Sequence, residues 1–390
     1  MQFDLPTPTP DALAHSESLG KHLQQQIVAA GGWISFARYM DMTLYAPGLG
    51  YYSAGASKFG ESGDFVTAPD ISPIFSQCLA GQAAQVLQSM GGGSILEPGA
   101  GQGTMAADVL LELERLRQLP DEYLILEPSA DLRARQAEML KSRAPQHFDR
   151  VRWLDDGPAG GIRGVVLANE VVDALPVERF VLEAGVIREL GVVFTGERFA
   201  YSARDISPQL KDAIERISQD QQQDWSEGYT SELCVRLPAW VDSLGSWLNE
   251  GVALLLDYGF PRREYYMAER STGTLRCYYR HRAHEDPFLW PGLQDLTAWV
   301  DFSLLAEAAL AAGFELGGYT TQANFLLAAG IEERVERAAT DPQAQIAMAA
   351  GLRQLLLPGE MGEAIKVMAL TRGRVGAPDG MFGRDLRSRL

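Results

Sequence analysis

The sequence predicts an α/β fold in which a mixed, mostly parallel β-sheet carries helices on both faces. Residues 95–104 (ILEPGAGQGT) pass from an apolar pair through an acid and three glycines into a helical pattern. Residues 123–168 then alternate short apolar runs with helical runs, which is the rhythm of βαβ units. Residues 251–259 (GVALLLDYG) form a further apolar run with the length of a buried strand. These three observations indicate one parallel core that is interrupted and then resumed.

The elements of this core follow in chain order. Apolar runs predict strands at 95–96, 123–127, 151–154, 164–168, 251–259, 314–320 and 364–371. Helical spacing predicts helices at 74–90, 104–119, 130–142, 303–312 and 332–356. The core is thus expected to begin near residue 91 and to end near residue 375.

The remaining segments do not follow this rhythm. Residues 11–30 are predicted to form a helix, whereas residues 41–75 combine aromatic residues with glycine and proline and are predicted to be a long ordered loop. Residues 179–202 alternate as antiparallel hairpins do, helices are expected at 207–224 and 237–249, and residues 260–301 are predicted to be irregular. The expected division is an N-terminal helical and lid region, a nucleotide-binding core, an inserted substrate subdomain, the rest of the core, and a tail (1–90, 91–177, 178–250, 251–375 and 376–390).

Charge and cysteine content restrict the function classes. The chain of 390 residues has 34 basic and 51 acidic residues and a net charge of −17, which argues against nucleic acid or an anionic membrane as its main partner. Its three cysteines are far apart and its five histidines lack metal-ligand spacing, so neither a disulfide framework nor a metal site is expected. No signal peptide, transit peptide or membrane-spanning run is recognisable, and we expect a cytoplasmic protein.

The glycine-rich turn indicates a binding site for a nucleotide-like ligand. Gly99, Gly101 and Gly103 let the backbone turn tightly and a ligand approach, and the following helix presents free N–H groups. Glu97 precedes the glycines, where a pyrophosphate would be repelled and an ammonium group would be attracted. This order favours S-adenosylmethionine. A dinucleotide frame also exists at Gly101, Gly103 and Ala106, so an NAD-dependent oxidoreductase remains an alternative.

Acidic residues after the next two strands are candidates for further cofactor contacts. Glu127 ends the second strand, where an acid accepts both ribose hydroxyls of a nucleoside. Asp155 and Asp156 follow the third strand and are expected to hold the adenine amine.

The fourth strand ends in polar residues that are candidates for the reaction itself. Asn169 and Glu170 are expected to point into the cleft, to hydrogen-bond the N–H groups of a nitrogen acceptor, and to remove its proton. Asn169 is also expected to contact the cofactor. Asp173 lies three residues further on and is expected to share a helical face with Glu170, so that the two carboxylates would match a guanidinium.

The chain resembles the MidA family of S-adenosylmethionine-dependent methyltransferases. The resemblance covers most of the chain and is carried by the glycine turn together with NEVVDALPV (169–177), GDFVTAPDISPIF (63–75), LYAPGLGYYS (44–53), LLLDYG (254–259), PGLQDLTAWVDF (291–302) and GEMGEAIKVM (359–368). One departure is Trp299, which stands where many relatives have histidine, and a milder one is Asp70, where many have glutamate.

The resemblance implies a class I methyltransferase fold with a seven-stranded mixed sheet, an N-terminal lid and an inserted antiparallel and helical subdomain. It implies that the 44–75 loop closes over the site, and that the C-terminal end of the fifth strand contributes as well. The implied substrate-binding residues are Tyr51, Tyr52, Asp64, Phe65, Thr67, Asp70, Asp257 and Tyr258, with His281 either in the acceptor pocket or on the surface.

The resemblance also implies a function. Mitochondrial members of the family are complex I assembly factors that dimethylate an arginine of a complex I subunit. We therefore expect methylation of a protein arginine, with a complex I subunit as a possible partner and a homodimer as a possible assembly. An assembly factor that binds S-adenosylmethionine without essential catalysis and a small-molecule methyltransferase are the alternatives.

Overall fold

The computed structural model describes residues 5–53, 66–221, 225–338 and 342–390. In chain order the helices are α1 (Pro10–Ala29), α2 (Phe36–Tyr45), α3 (Ala68–Ile71), α4 (Pro73–Met90), α5 (Thr104–Arg115), α6 (Ala130–Arg143), α7 (Pro208–Gln221), α8 (Leu237–Trp247), α9 (Arg262–Tyr265), α10 (Phe302–Ala311), α11 (Gln322–Ala328), α12 (Ile331–Ala338), α13 (Pro342–Leu356) and α14 (Met361–Ala364). The strands are β1 (Ile34–Ser35), β2 (Ser94–Pro98), β3 (Tyr123–Leu126), β4 (Val151–Leu154), β5 (Ile162–Asn169), β6 (Glu178–Glu183), β7 (Val186–Phe194), β8 (Phe199–Asp205), β9 (Thr230–Leu233), β10 (Leu248–Phe260), β11 (Arg276–Tyr279), β12 (Arg282–His284), β13 (Asp295–Thr297), β14 (Val300–Asp301), β15 (Glu315–Thr321) and β16 (Ile365–Arg372).

These elements belong to two units, each assembled from three stretches of chain. The first unit takes residues 1–65, 172–237 and 260–301, and the second takes residues 66–171, 238–259 and 302–390. Residues 66–90 therefore belong to the unit of the large sheet, although the sequence grouped them with the N-terminal lid. The expected insertion at 178–250 is likewise shared between the two units, which divide at residue 237.

The second unit is built on a mixed sheet, as predicted. Seven of its strands lie in the order β15-β16-β10-β5-β2-β3-β4. The neighbours from β10 to β4 are parallel, while β16 runs antiparallel to both β10 and β15. The buried core on this sheet includes apolar side chains of α4 and α5, among them Phe75, Leu79, Val109 and Leu110.

The order of the strands explains where a ligand can bind. The chain moves from β2 outward through β3 to β4 and then returns to β5 on the other side of β2. Such a reversal opens a crevice at the C-terminal ends of the two strands that flank it. The glycine turn follows β2, and Asn169 is the last residue of β5, so both lie at this reversal.

The first unit is built on antiparallel sheets. One sheet has the order β1-β7-β6-β9, with β8 also paired to β7, and a smaller sheet has the order β12-β11-β13. The predicted hairpins at 179–202 are therefore confirmed as β6, β7 and β8. A separate core of this unit packs α1 and α2 against these sheets. It includes Leu23 of α1, Phe36 of α2 and Val192 of β7.

Several local predictions were wrong. Residues 41–45 are the end of α2 and not part of a loop, and the predicted helix at 332–356 is two helices, α12 and α13. The stretch 260–301, predicted to be irregular, contains the sheet of β11, β12 and β13. In the part of the chain that the structure describes, no helix is long and apolar enough to cross a membrane.

Candidate active site at the glycine turn

The glycine turn uses backbone conformations that other residues rarely adopt. Gly99, Gly101 and Gly103 have φ angles of +67°, +53° and +85°. A Cβ on Gly99 would lie 3.2 Å from Cγ2 of Val171, whereas a Cβ on Gly101 would meet no described atom within 4 Å. Gly103 is the N-cap of α5 and offers no side chain to the first N–H groups of that helix. The turn therefore leaves open space beside Gly101 and uncapped donors next to it.

Glu97, directly before the glycines, is a buried carboxyl group. It is 1% exposed, and its Oε2 accepts a hydrogen bond of 2.5 Å from the hydroxyl of Tyr123 on β3. Burial raises the pKa of Glu97 to about 7, although the hydrogen bond from Tyr123 acts in the opposite direction. A positive charge brought to this carboxyl group would favour its ionised form.

Glu127, the candidate ribose acid, is held by two donors. Its Oε1 accepts the backbone N–H of Ser129 at 2.9 Å, and its Oε2 accepts Nε2 of Gln136 at 3.3 Å. Burial raises the pKa of Glu127, and the two donors lower it. A carboxylate has about four lone-pair positions, so both oxygens retain acceptor capacity for hydroxyl groups.

The acids after β4 are exposed. Asp155 forms an ion pair of 2.7 Å with Arg133, whose Nε donates a hydrogen bond to the backbone carbonyl of Glu127. Asp156 is also exposed. Their contact with an adenine amine stays a prediction.

Asn169 and Glu170 lie at the end of β5 and contact each other. Nδ2 of Asn169 donates to Oε1 of Glu170 at 3.1 Å, and the same oxygen accepts the backbone N–H of Ala68 at 3.3 Å. Oδ1 of Asn169 is buried and has no hydrogen-bond partner in the described chain. Glu170 has a φ angle of +52°, and its N–H donates to the carbonyl of Leu256 on β10.

The carboxyl group of Glu170 lies in an acidic environment. Its pKa is raised to about 8, mainly by burial and then by the charge of Asp257, with a smaller contribution from Asp70, while the hydrogen bonds from Ala68 and Asn169 lower it. Asp257 is itself buried and accepts the N–H of Val171 at 3.2 Å and that of Tyr258 at 2.9 Å. Because the site gathers carboxylates, it suits a cationic ligand.

Thr67 and Asp70 connect the start of this unit to the glycine turn. Oδ2 of Asp70 accepts the hydroxyl of Thr67 at 3.0 Å, and Oδ1 accepts the hydroxyl of Thr104 at 3.1 Å. Thr104 is the first residue of α5. The structure thus places both predicted residues beside the glycine turn.

Other predicted site residues belong to the first unit. The hydroxyl of Tyr52 donates to Oδ1 of Asp295 at 3.0 Å, and the ring of Tyr51 packs edge-on against the ring of Tyr52. The carbonyl of Asp173 accepts the N–H of Ala298 at 3.0 Å. His281 is exposed at the turn between β11 and β12. The predictions for Asp64 and Phe65 lie outside the described residues.

One expectation about Asp173 was wrong. It does not share a helical face with Glu170, because residues 170–177 form bends and a turn instead of a helix. The positive φ angle of Glu170 and the proline at position 176 both oppose a helix here.

The residues of the second unit fit an adenosyl cofactor. Open space at Gly101, spare acceptor capacity on Glu127 and the unpartnered Oδ1 of Asn169 are all features that a nucleoside amino acid can use. In the described chain, no group of three His, Cys, Asp or Glu residues could hold a metal ion.

Comparison with known families decides between the cofactors. Residues 78–320 match the family model described as a putative S-adenosyl-L-methionine-dependent methyltransferase. The chain belongs to the MidA family of these methyltransferases. Its cofactor is S-adenosylmethionine, as the glycine spacing predicted, so the dinucleotide frame at Gly101 is not the functional one.

Solved structures support the same assignment for this MidA methyltransferase. A Burkholderia thailandensis protein solved bound to S-adenosyl-homocysteine is 45% identical, with a TM-score of 0.94 over 99% of this chain and 100% of that one. A native structure from the same organism is 44% identical, with a TM-score of 0.91 over the same shares.

Curated relatives extend the similarity to mitochondrial proteins. The protein arginine methyltransferase NDUFAF7 of Danio rerio is 32% identical over 91% of this chain and 87% of its own length. The corresponding Drosophila melanogaster homolog is 29% identical over 96% of this chain and 91% of its own.

Three contacts of the MidA site were not predicted from the sequence. Gln136 contacts both the glycine turn and Glu127, Tyr123 bonds Glu97, and the N–H of Ala68 bonds Glu170. Gln136 lies on α6 between Leu132 and Leu140, the other two buried residues of that helix, so its spacing could have marked it as buried. Tyr123 could have been found, because it begins the strand parallel to that of Glu97.

Proposed function

We propose that this methyltransferase transfers a methyl group to an arginine side chain of a protein. The observation that carries the proposal is the carboxyl group of Glu170, which lies at the end of β5 under the influence of Asp257 and Asp70. A guanidinium is the cationic side chain whose fork of donors matches carboxylate oxygens. The names of the Danio rerio and Drosophila melanogaster relatives support an arginine acceptor.

The residues at the end of β5 have complementary roles in the proposed reaction. The bound cofactor supplies a methyl group on a positively charged sulfur. Glu170 and Oδ1 of Asn169 accept hydrogen bonds from the guanidinium N–H groups and orient one nitrogen. As the new N–C bond forms from the nitrogen lone pair, the electrons of the S–C bond stay on sulfur, and Glu170 takes the proton that the nitrogen loses.

The raised pKa of Glu170 suits this role. A carboxyl group with a pKa of about 8 holds a proton more strongly than an ordinary glutamate does. A guanidinium beside it favours the ionised form before transfer, so Glu170 can bind the cation and then accept its proton.

The partner that we propose is a protein such as a subunit of respiratory complex I. This part of the proposal is supported by the resemblance to the mitochondrial family members. Two results would replace this proposal. One is methylation of a small molecule, and the other is a binding function in which catalysis is not essential.

The experiment compares the chain with Glu170→Gln in the presence of methyl-labelled S-adenosylmethionine. The acceptor is an extract of source cells from which the gene for this chain has been deleted. Label in a protein band, with methylarginine in its digest, is the expected result for the native chain and not for the variant. Label confined to small molecules would overturn the protein acceptor, and label on another residue type would overturn arginine.

A second comparison addresses the binding-factor alternative. If the gene with Glu170→Gln restores the phenotype of the deletion strain completely, catalysis is not the essential role. Calorimetry with S-adenosylhomocysteine must first show that the variant binds the cofactor product as the native chain does.

A further inference from the structure

The side-chain amide of Gln136 contacts three residues at the edge of the sheet where the cofactor is expected to bind. Its Nε2 donates to the carbonyl of Gly101 at 2.9 Å and to Oε2 of Glu127 at 3.3 Å. Its Oε1 accepts the indole N–H of Trp153 at 2.8 Å. Gly101 and Glu127 follow β2 and β3, and Trp153 lies near the C-terminal end of β4, so the three partners belong to neighbouring parallel strands.

The side chain is fixed in this position. Gln136 is 0% exposed, and its backbone packs against the glycine turn so closely that a Cβ on Gly103 would lie 3.2 Å from its Cα. A buried amide with all its partners in place has one arrangement, because any other would leave a buried donor or acceptor unpaired.

The chemistry of the amide matches these partners and that of similar side chains does not. Gly101 and Glu127 both require a donor, whereas Trp153 requires an acceptor. A glutamate offers acceptors alone when it is ionised, and a methionine of similar length offers no donor and only a weak acceptor sulfur. The donor from Gln136 also favours the ionised form of Glu127, which is the form that can accept two hydroxyl groups.

We propose that Gln136 is a positioning residue for the cofactor, which holds the glycine turn and the ribose acid Glu127 in the arrangement that recognises the ribose hydroxyls. The proposal rests on the predicted ribose contact of Glu127. It concerns cofactor binding alone and is independent of the identity of the methyl acceptor.

The first test measures binding of S-adenosylhomocysteine and of its 2′-deoxy analogue by calorimetry. In Gln136→Met we expect about tenfold weaker binding of S-adenosylhomocysteine, the loss of roughly one hydrogen bond to a charged group. In the native chain the 2′-deoxy analogue should bind more weakly than S-adenosylhomocysteine, because it lacks a hydroxyl group that Glu127 accepts. We expect this difference in affinity, the hydroxyl penalty, to shrink in Gln136→Met, since Glu127 is no longer held in place. An equal loss for both ligands, or unchanged binding, would overturn the proposal.

Gln322→Met is the matched control. Gln322 is another glutamine of the same unit that is 0% exposed, and its Nε2 donates to the carbonyl of Leu355, away from the glycine turn. This variant also loses a buried amide. It should nevertheless keep the native affinity for S-adenosylhomocysteine and the native difference in affinity between that ligand and its 2′-deoxy analogue. If it behaves as Gln136→Met does, the effect is one of general stability and the proposal is wrong.

The second test uses Gln136→Glu and pH. The introduced carboxylate would lie within hydrogen-bond distance of Glu127, where two negative charges repel and a shared proton restores a donor. We expect binding of S-adenosylhomocysteine to be at least about tenfold weaker than native at pH 8 and to recover at pH 6. This measurement stands even if Gln136→Met fails to fold, and a pH-independent defect would contradict the proposal.

Discussion

The hydroxyl of Tyr123 donates a hydrogen bond of 2.5 Å to the carboxyl group of Glu97, across two parallel strands of the sheet. The donor favours the ionised form of Glu97, but burial dominates, and the pKa is raised to about 7. Glu97 is therefore poised to change its charge at neutral pH when a ligand approaches.

Cofactor binding is expected to release protons from Glu97. At pH 7 a group with a pKa of about 7 is roughly half protonated, and a ligand ammonium beside it would favour the ionised form. Binding of S-adenosylhomocysteine should then release up to about half a proton per ligand. Calorimetry at pH 7 in buffers of different ionisation enthalpy measures this number directly.

Glu97→Gln is the control for this release. The amide cannot titrate, so the dependence of the binding enthalpy on the buffer should disappear. The same proton release in this variant would show that another group is responsible and that Glu97 does not face the ligand ammonium.

The rate of methyl transfer should rise with pH as Glu170 ionises. Its pKa is raised to about 8, so the accepting form is scarce below that pH and becomes the main form above it. Initial rates measured between pH 6 and 9 with the acceptor protein well below saturation should show this rise. Glu170→Gln should lower the rate about 10²–10⁴-fold at pH 9 and abolish the rise with pH.

Asp257→Asn tests the cause of that shift. Since the charge of Asp257 raises the pKa of Glu170, its removal should move the rise in rate to lower pH. Asp121→Asn removes an exposed carboxylate of the same unit that is not among the charges acting on Glu170, and it should leave the profile in place. A profile that both variants leave unchanged would argue against Glu170 as the proton acceptor.

Local sequence patterns predicted the parts of the site that a single strand and its following turn can define. Glu97, the glycines and Glu127 each follow from an apolar run that ends in a particular residue type, and the structure places them at the same edge of one sheet. The spacing of Gln136 with Leu132 and Leu140 indicates the buried face of α6, but its contact with the glycine turn was not predictable, because it depends on how α6 packs against Gly103.

The failures outside the site have identifiable causes. In α2 the buried residues Phe36, Tyr39, Met40, Thr43 and Leu44 follow helical spacing, so this helix was present in the pattern. The aromatic residues that continue beyond Tyr45 obscured its end. The prediction that Asp173 lies on a helix was wrong because the positive φ angle of Glu170 turns the chain away from a helix. A positive φ angle at a glutamate cannot be predicted from the residue pattern.

Gly101→Val should abolish cofactor binding while the protein stays folded. An added Cβ would meet no described atom within 4 Å, so the main cost to folding is the strain of a β-branched residue at a φ angle of +53°, at least about 1–2 kcal/mol. The new side chain would fill the space beside the glycine turn, and binding of S-adenosylhomocysteine should weaken about 100-fold or more. Calorimetry and thermal unfolding together measure the two effects.

Gly160→Val controls for the backbone strain in that experiment. Gly160 has a φ angle of +79°, belongs to the same unit, and also has no described atom within 4 Å of an added Cβ. It should lose similar stability and keep native affinity. Normal binding by Gly101→Val would remove the assignment of the turn to the cofactor.

Gly273→Ala should strongly destabilise the first unit. A Cβ at this position would lie 2.2 Å from Oε2 of Glu232, and the φ angle is +77°. Glu232 is 0% exposed and cannot move aside, because its other oxygen accepts the N–H and hydroxyl of Thr274 and the hydroxyl of Tyr265. Displacing this buried carboxylate should cost about 3–5 kcal/mol, measured as a fall in the free energy of unfolding in denaturant.

The matched variant is Gly228→Ala in the same unit. Gly228 has a φ angle of +82° and no described atom within 4 Å of an added Cβ, so it isolates the strain of the backbone, about 1–2 kcal/mol. The excess loss in Gly273→Ala then measures the displacement of Glu232. Equal losses in the two variants would mean that Glu232 and its partners readjust freely, and that this buried hydrogen-bond network does not fix the conformation of the 272–274 segment.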